Sequence, residues 1–365
     1  MIRLIRPYIS FAEVEREFRA IFESGILTKG SNVEAFREGI RRYTGSTYCF
    51  LTSSATTALT MCLKLLDIGS GDEVVVSDFS FPASANVVED VGARPIFADV
   101  DRGTYNMLPE QLERRIGPRT KAVLFVDALG NPSGLTHIAQ ICRLHGIPLI
   151  EDAACAIGSA EAGKRCGNIA DLTCFSFHPR KLLTTGEGGA ITTNNKDYAT
   201  KLEVKLNHGS VQKNGKFDFV DFGYNFRLPE LQAVMGLKQI QKLDSIVAHR
   251  TAVRAEYIRN LSPLGFVAQH VHPDVVYNVQ SLTFIVPPNL SRDALIAELK
   301  KREVETTLGT YCLSGTTYFR SRYNDVQPNA WFLQENTITL PCYDGVDVAR
   351  VCMEINHAVS AVNKK

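Results

Sequence analysis

From Ser31 to about Thr193 the sequence alternates apolar runs of strand length with stretches that carry a helical repeat. That alternation constrains the fold more than any other feature, because it is the pattern of βαβ units packed into a mostly parallel sheet. The strand-like runs are Tyr48 to Leu51, Glu73 to Ser77, Arg94 to Ala98, Lys121 to Val126, Ile147 to Glu151, Asp171 to Phe177 and Ala190 to Thr193. Between them, Ala55 to Leu66 and Leu135 to His145 place apolar residues at helical spacing, and Gly146 stops the second. The expected fold class is α/β, with a seven-stranded sheet between helices.

Beyond Gly223 the spacing of Leu231, Val234, Leu237, Ile240 and Leu243 predicts one long helix, with Pro229 in its first turn. The rest reads as a strand (Ser281 to Val286), a helix (Arg292 to Arg302, Ser291 as N-cap), a strand (Thr337 to Leu340) and a terminal helix. The last has Val348, Val351, Cys352, Ile355 and Val359 on one face. At 365 residues the chain exceeds a typical single domain, so two units are expected. These are a larger one over 1–244 and a smaller α+β one over 245–365.

Lys and Arg total 40 against 39 Asp and Glu, so no global field gathers nucleic acid or an anionic membrane. The nine cysteines are scattered and odd in number, without a CxxC pair, which argues against a disulfide framework or a zinc knuckle and fits a reducing cytoplasm. The eight histidines include no ligand pair, so no metal is expected. No apolar stretch has the form of a signal peptide or the length of a membrane span.

Ligands of open α/β sheets sit at the carboxyl ends of strands. Two residues fall there, Asp152 after Ile147 to Glu151 and Lys181 after Asp171 to Phe177, the latter followed by Gly186, Gly188 and Gly189. A carboxylate facing a pyridine nitrogen keeps that ring protonated, and a lysine forms a Schiff base with an aldehyde, which are the two requirements of pyridoxal 5'-phosphate. Alone, Asp152 would read as a strand-end cap and Lys181 as a solvated loop residue. The phosphate needs backbone N–H donors and hydroxyls at a helix start, and Ser54, Ala55 and Thr56 supply them where a strand gives way to a helix. Phe81, in the loop Asp78-Phe-Ser-Phe-Pro82, offers a flat partner for the ring, ahead of Phe79.

Taken in order, several segments resemble the DegT/StrS-type sugar aminotransferases of PLP fold type I. They are Thr52 to Leu59, Gly71-Asp-Glu-Val74, Ser80-Phe81 with Ala85-Asn86, Glu151-Asp-Ala-Ala154, Ser176-Phe-His-Pro-Arg-Lys181, Gly186-Glu-Gly-Gly189 and Gly223-Tyr-Asn-Phe-Arg227. The resemblance runs from Gly25 to about Asp244, with a looser tail. It implies that Lys181 bears the cofactor and shuttles the proton, and that Asp152 pairs with the pyridinium. Phe81 would stack on the ring, and Ser54, Ala55, Thr56 and Ser176 would hold the phosphate. Asn225 would reach the phosphate of a neighbouring subunit, making a homodimer with shared sites. The reaction implied is transfer of an amino group, by family habit from glutamate, to a keto sugar, most often nucleotide-linked.

Cys155 stands where the family usually carries a glutamine beside the cofactor's phenol oxygen, Ile157 where a histidine is common, and Ala55 where a glycine sits in the phosphate turn. A thiol is a weaker hydrogen-bond partner than an amide. Thr28, Lys29, His178, His208 and Tyr311, the last in the altered segment Gly309-Thr-Tyr-Cys-Leu-Ser-Gly315, are candidate substrate contacts. Two other readings remain open. One is a related sugar dehydratase, against which Lys181 argues because such relatives tend to carry histidine there. The other is a PLP-binding regulator without turnover, against which the lack of a partner-reading extension argues.

Overall fold

A computed structural model describes residues 1–362, so the last three residues of the expected 245–365 unit lie outside the described residues. Seven strands form the central sheet: β1 (Tyr48–Thr52), β2 (Glu73–Ser77), β3 (Arg94–Ala98), β4 (Thr120–Val126), β5 (Leu149–Asp152), β6 (Leu172–Ser176) and β7 (Gly189–Thr193). Their spatial order is β1-β7-β6-β5-β4-β2-β3. Neighbours from β6 through β3 pair in parallel, and β7 runs antiparallel to both β6 and β1. Every expected strand forms, with ends within two residues of the sequence reading.

This topology builds the site. Thr52, Asp152 and Ser176 end β1, β5 and β6 on one edge of the sheet, and because β7 is reversed its first residue, Gly189, lies on that same edge. There Gly189 is in register with Thr52 on one side and Ser176 on the other. The sheet is covered on both faces. Helix Ala55–Leu65 buries Ala58, Leu59, Met61, Cys62, Leu63 and Leu65 against it. Each such leucine stabilises the fold by about 2 kcal/mol. Helix Leu135–His145 packs elsewhere with Val75, Val123 and Phe125, and ends on Gly146 in a left-handed cap.

The long helix expected beyond Gly223 is two, Glu230–Ile240 and Leu243–Leu261, with Pro229 as the extended N-cap of the first instead of a first-turn residue. The break at Gln241 and Lys242 has a packing cause. Gln239 is buried and pairs with Thr184, while Lys242 swings its Nζ to Glu13 Oε1 at 2.5 Å. The C-terminal body holds a four-stranded antiparallel sheet that includes Leu282–Ile285 and Thr337–Leu340 as paired neighbours. Helices Arg292–Lys301 and Val348–Val362 cover it, with Ser291 capping the first by accepting the Ala294 N–H. The first residues of the chain join this body. The Ile2 N–H donates to Glu303 O at 2.7 Å, and Ile2 O accepts from Glu305 N–H at 2.9 Å.

Helices Phe11–Ser24, Ser31–Thr44, Ala83–Asp90, Lys196–Lys205 and Pro328–Asn336, and the hairpin Ser210–Lys213 with Lys216–Phe219, add to the elements read from sequence. All nine cysteines are free. Among the described residues no helix is long and apolar enough to cross a membrane.

Candidate active site

Asp152 ends β5, buried between its neighbours. Its Oδ2 accepts from Ser84 Oγ at 2.7 Å and its Oδ1 from the Ala154 N–H at 3.2 Å. Burial pushes its carboxyl above the usual range, and the two hydrogen bonds and the Lys181 charge pull it back toward ionisation. Ser84 in turn meets Ser80 Oγ at 2.8 Å, so a hydroxyl chain ties the end of β5 to the loop that presents Phe81.

Phe81 is one of the most exposed large apolar side chains, at 66%. Tyr311 stands edge-on to it with ring centroids 6.3 Å apart, because Tyr311–Cys312 pairs as a short strand with Phe79–Ser80. Asp78 secures that pairing: its carboxylate accepts from Ser314 N–H and Ser314 Oγ, both at 2.7 Å, and from Cys312 Sγ at 3.1 Å. Asp78 is buried and its carboxyl is pushed up to about 7 by that burial.

Lys181 lies in the loop between β6 and β7. Its N–H donates to His178 O at 2.8 Å, and its Nζ reaches Cys155 Sγ at 3.0 Å. Cys155 is half-buried, in contact with the lysine rather than packed away as a small core residue. His178 directs its Nδ1 to the Arg180 N–H at 3.2 Å, and its imidazole is held below its ordinary range by burial, opposed by Glu187. Ser176 is buried at the end of β6, with the His178 N–H 3.4 Å from its Oγ.

Ser54 caps helix Ala55–Leu65 by accepting the Thr57 N–H at 3.1 Å. The first main-chain bond of that helix is Ala58 N–H to Ser54 O, so the amides of Ala55 and Thr56 are left facing outward at the positive end of the helix. Gly189 backs this turn so closely that a Cβ on it would stand 2.5 Å from Ser54 C and 2.7 Å from Ala55 N. Only glycine lets β7 pass there.

Thr28, Lys29, His208 and Asn225 gather on a separate, exposed surface. Thr28 bridges Pro229, Lys29 Nζ donates to Asn207 Oδ1 at 3.0 Å, and the His208 N–H donates to Tyr224 O at 3.2 Å. Exposed Phe217, Phe219 and Phe222 extend it. None of these four contacts the Lys181 group through a hydrogen bond within the chain.

The sequence reading did not single out Ser84, Asp78 or a buried acidic group behind Asp152. There Asp127, Glu151 and Cys166 bring ligand-type atoms within 4.8 Å of one another, and burial raises both carboxyls above their ordinary range. Ser84 was legible as a hydroxyl four residues after Ser80 on the helix that follows the Phe81 loop. The acidic group carried no local signal, since its members come from three separate segments.

The donor set fits pyridoxal phosphate: a buried carboxylate, a lysine nitrogen, and a helix start with free amides and hydroxyls meet on one sheet edge. That combination is one a PLP-dependent enzyme would use. Residues 10–356 match the DegT/DnrJ/EryC1/StrS aminotransferase family, to which the chain belongs. An uncharacterized protein of Methanocaldococcus jannaschii is 30% identical over 379 aligned residues, covering 96% of both chains. Among solved structures, the aminotransferase TlmJ from Streptoalloteichus hindustanus superposes with a TM-score of 0.92 at 29% identity, over 99% of each chain. A Streptococcus pneumoniae protein described as a sugar aminotransferase, in its PMP form, superposes at 0.91 with 26% identity, over 99% of this chain and 100% of that one. Helicobacter pylori PseC, at 24% identity and a TM-score of 0.93 over 99% of each chain, shares the fold.

Proposed function

We propose that this aminotransferase takes the amino group of glutamate and delivers it to a nucleotide-linked 3- or 4-keto-deoxysugar. The observation that carries the reading is the convergence of Lys181, Asp152 and the Ser54 turn on one edge of the sheet, with an open aromatic pair, Phe81 and Tyr311, beside it. The sugar is supported by the Streptococcus pneumoniae neighbour.

In this reading Asp152 holds the pyridinium, Phe81 covers the ring, and Ser54, Ala55, Thr56 and Ser176 take the phosphate, with Cys155 beside the lysine. Bound pyridoxal phosphate supplies an electron sink that lets the bond to the substrate's α-hydrogen ionise. Lys181 moves that proton as general base and acid at Nζ, and the buried surroundings of Asp152 keep water from its carboxylate. His178 and Tyr311 would meet substrate from the same chain, whereas Thr28, Lys29 and His208, on the separate surface, would reach it only from a second copy.

The site is shared between two copies in this proposal. Asn225 is exposed beside an apolar surface of Phe217, Phe219 and Phe222, and a second copy covering that surface would bring Asn225 to its phosphate. In this reading the units are 1–244 and 245–365; what supports the boundary is helix Leu243–Leu261, whose Leu243 packs beside the main sheet and whose Leu261 packs in the C-terminal core.

The test adds glutamate to the PLP-loaded protein. Loss of the visible absorption with release of 2-oxoglutarate supports the donor half, and an unchanging spectrum overturns it. A panel of nucleotide-linked amino sugars, run in reverse, then reads the acceptor.

A further inference from the structure

A loop lysine that must meet a cofactor at one fixed point needs its main chain held from outside, because loops are the mobile part of a fold. In this chain the holding group comes from the C-terminal body. Gln280, buried, accepts the Leu182 N–H on its Oε1 at 2.6 Å and donates its Nε2 to Arg180 O at 2.7 Å. One side-chain amide therefore binds the peptide groups on both sides of Lys181, as a neighbouring strand would. A side-chain amide donates from its nitrogen and accepts on its oxygen without carrying charge, which matches the two peptide groups it meets here.

Asn278, fully buried, does the same for the facing loop. Its Nδ2 donates to Cys155 O and to Ile157 O, each at 2.8 Å, and its Oδ1 accepts the Gln280 N–H at 2.8 Å. Gly130 packs so closely here that a Cβ on it would collide with Asn278 Oδ1 and Cys155 O. Between the two amides Val279 holds a left-handed φ of 54°, a conformation that a β-branched residue adopts only when its surroundings impose it. Arg250 imposes it. Buried to 1% exposure, it donates Nε to Val279 O at 2.8 Å and Nη2 to Gln280 O at 2.9 Å.

We infer that Asn278 and Gln280 form a positioning clamp that sets Lys181 against Cys155 and couples the lysine to the C-terminal body. Neither residue takes part in the chemistry. The inference rests on the reading of Lys181 as the cofactor-bearing residue.

The test compares Gln280→Met, which keeps the length and loses both bonds, with Gln280→Glu, which keeps the acceptor and loses the donor. In the apoprotein, hydrogen exchange at the Leu182 amide should quicken about tenfold or more in Gln280→Met. In the loaded enzyme kcat should fall about a hundredfold, the scale of a 1 Å misplacement, while KM for the amino donor stays within about threefold. The pH midpoint of the bound cofactor's visible absorption should shift, and Gln280→Glu should fall between wild type and Gln280→Met. Leu182 exchange and an absorption midpoint both unchanged from wild type would overturn the clamp. If Gln280→Met does not fold, Gln280→Glu and Asn278→Asp decide by the same readings. A wild-type enzyme that transfers no amine would overturn the function instead, and the exchange result would still judge the clamp.

Discussion

The Nζ of Lys181 lies 3.0 Å from the Sγ of Cys155, within a loop that Gln280 and Gln239 hold by side-chain amides. A thiol at this position contacts the lysine yet offers it a weak hydrogen bond. Replacing the lysine removes the group that moves the proton. Lys181→Ala should lower kcat/KM for amino transfer by about a hundred- to ten-thousandfold while leaving the melting temperature close to that of wild type. Steady-state assay beside a thermal melt measures both, and retained turnover would falsify the role.

Ser84 is the hydroxyl that reaches Asp152 Oδ2. Its bond favours the ionised carboxyl, so Ser84→Ala should move the acid limb of the kcat profile to higher pH. Some of the activity lost at neutral pH should return on the alkaline side. A profile that drops uniformly at all pH values would instead assign Ser84 to packing.

Gly189 faces the Ser54 turn with no room for a methyl group. Gly189→Ala forces β7 or the turn to shift, at a cost of about 1–3 kcal/mol, and opens the anion cradle at the same time. The expected result is a lower melting temperature together with weaker binding of pyridoxal phosphate, measured by titration. Weakened stability with unaltered cofactor affinity would separate the turn from the phosphate.

Burial pushes the folded-state carboxyl of Asp78 up to about 7, well above the usual carboxylate range. The native state therefore binds more protons than the unfolded chain across that interval, and the slope of unfolding free energy with pH is negative. The stabilisation is complete below about pH 4 and is lost as pH climbs through 7. Asp78→Asn should flatten this part of the stability curve, as read by denaturant melts at a series of pH values. An unaltered curve would mean that Asp78 is already ionised in the fold.

Sharing of the site between copies can be read by mixing inactive variants. If Asn225 serves the neighbouring subunit, Lys181→Ala and Asn225→Ala proteins, each poorly active, should recover activity on co-refolding, with about a quarter of the sites intact in a random mixture. No recovery, with dimers formed, would place Asn225 on its own subunit's site.

The sheet was legible because runs such as Val74 to Val76 and Ala122 to Val126 have strand composition and glycine or proline punctuation on either side. Lys181, Asp152 and Ser54 were legible because each sits where a strand ends. The helix break at Gln241 was not, since no glycine or proline marks it and its cause is a contact between Gln239 and Thr184 more than fifty residues away. Helix Phe11–Ser24 carries a strong apolar stripe, but it lies before the βαβ alternation and no strand frames it. Gln280 looked like an ordinary residue before a strand, and its importance lies wholly in partners about a hundred positions distant.

Ile2 is stitched by main-chain bonds to Glu303 and Glu305. Translation can thus complete the central sheet soon after residue 193 emerges, while the earliest residues wait for a partner made three hundred positions later.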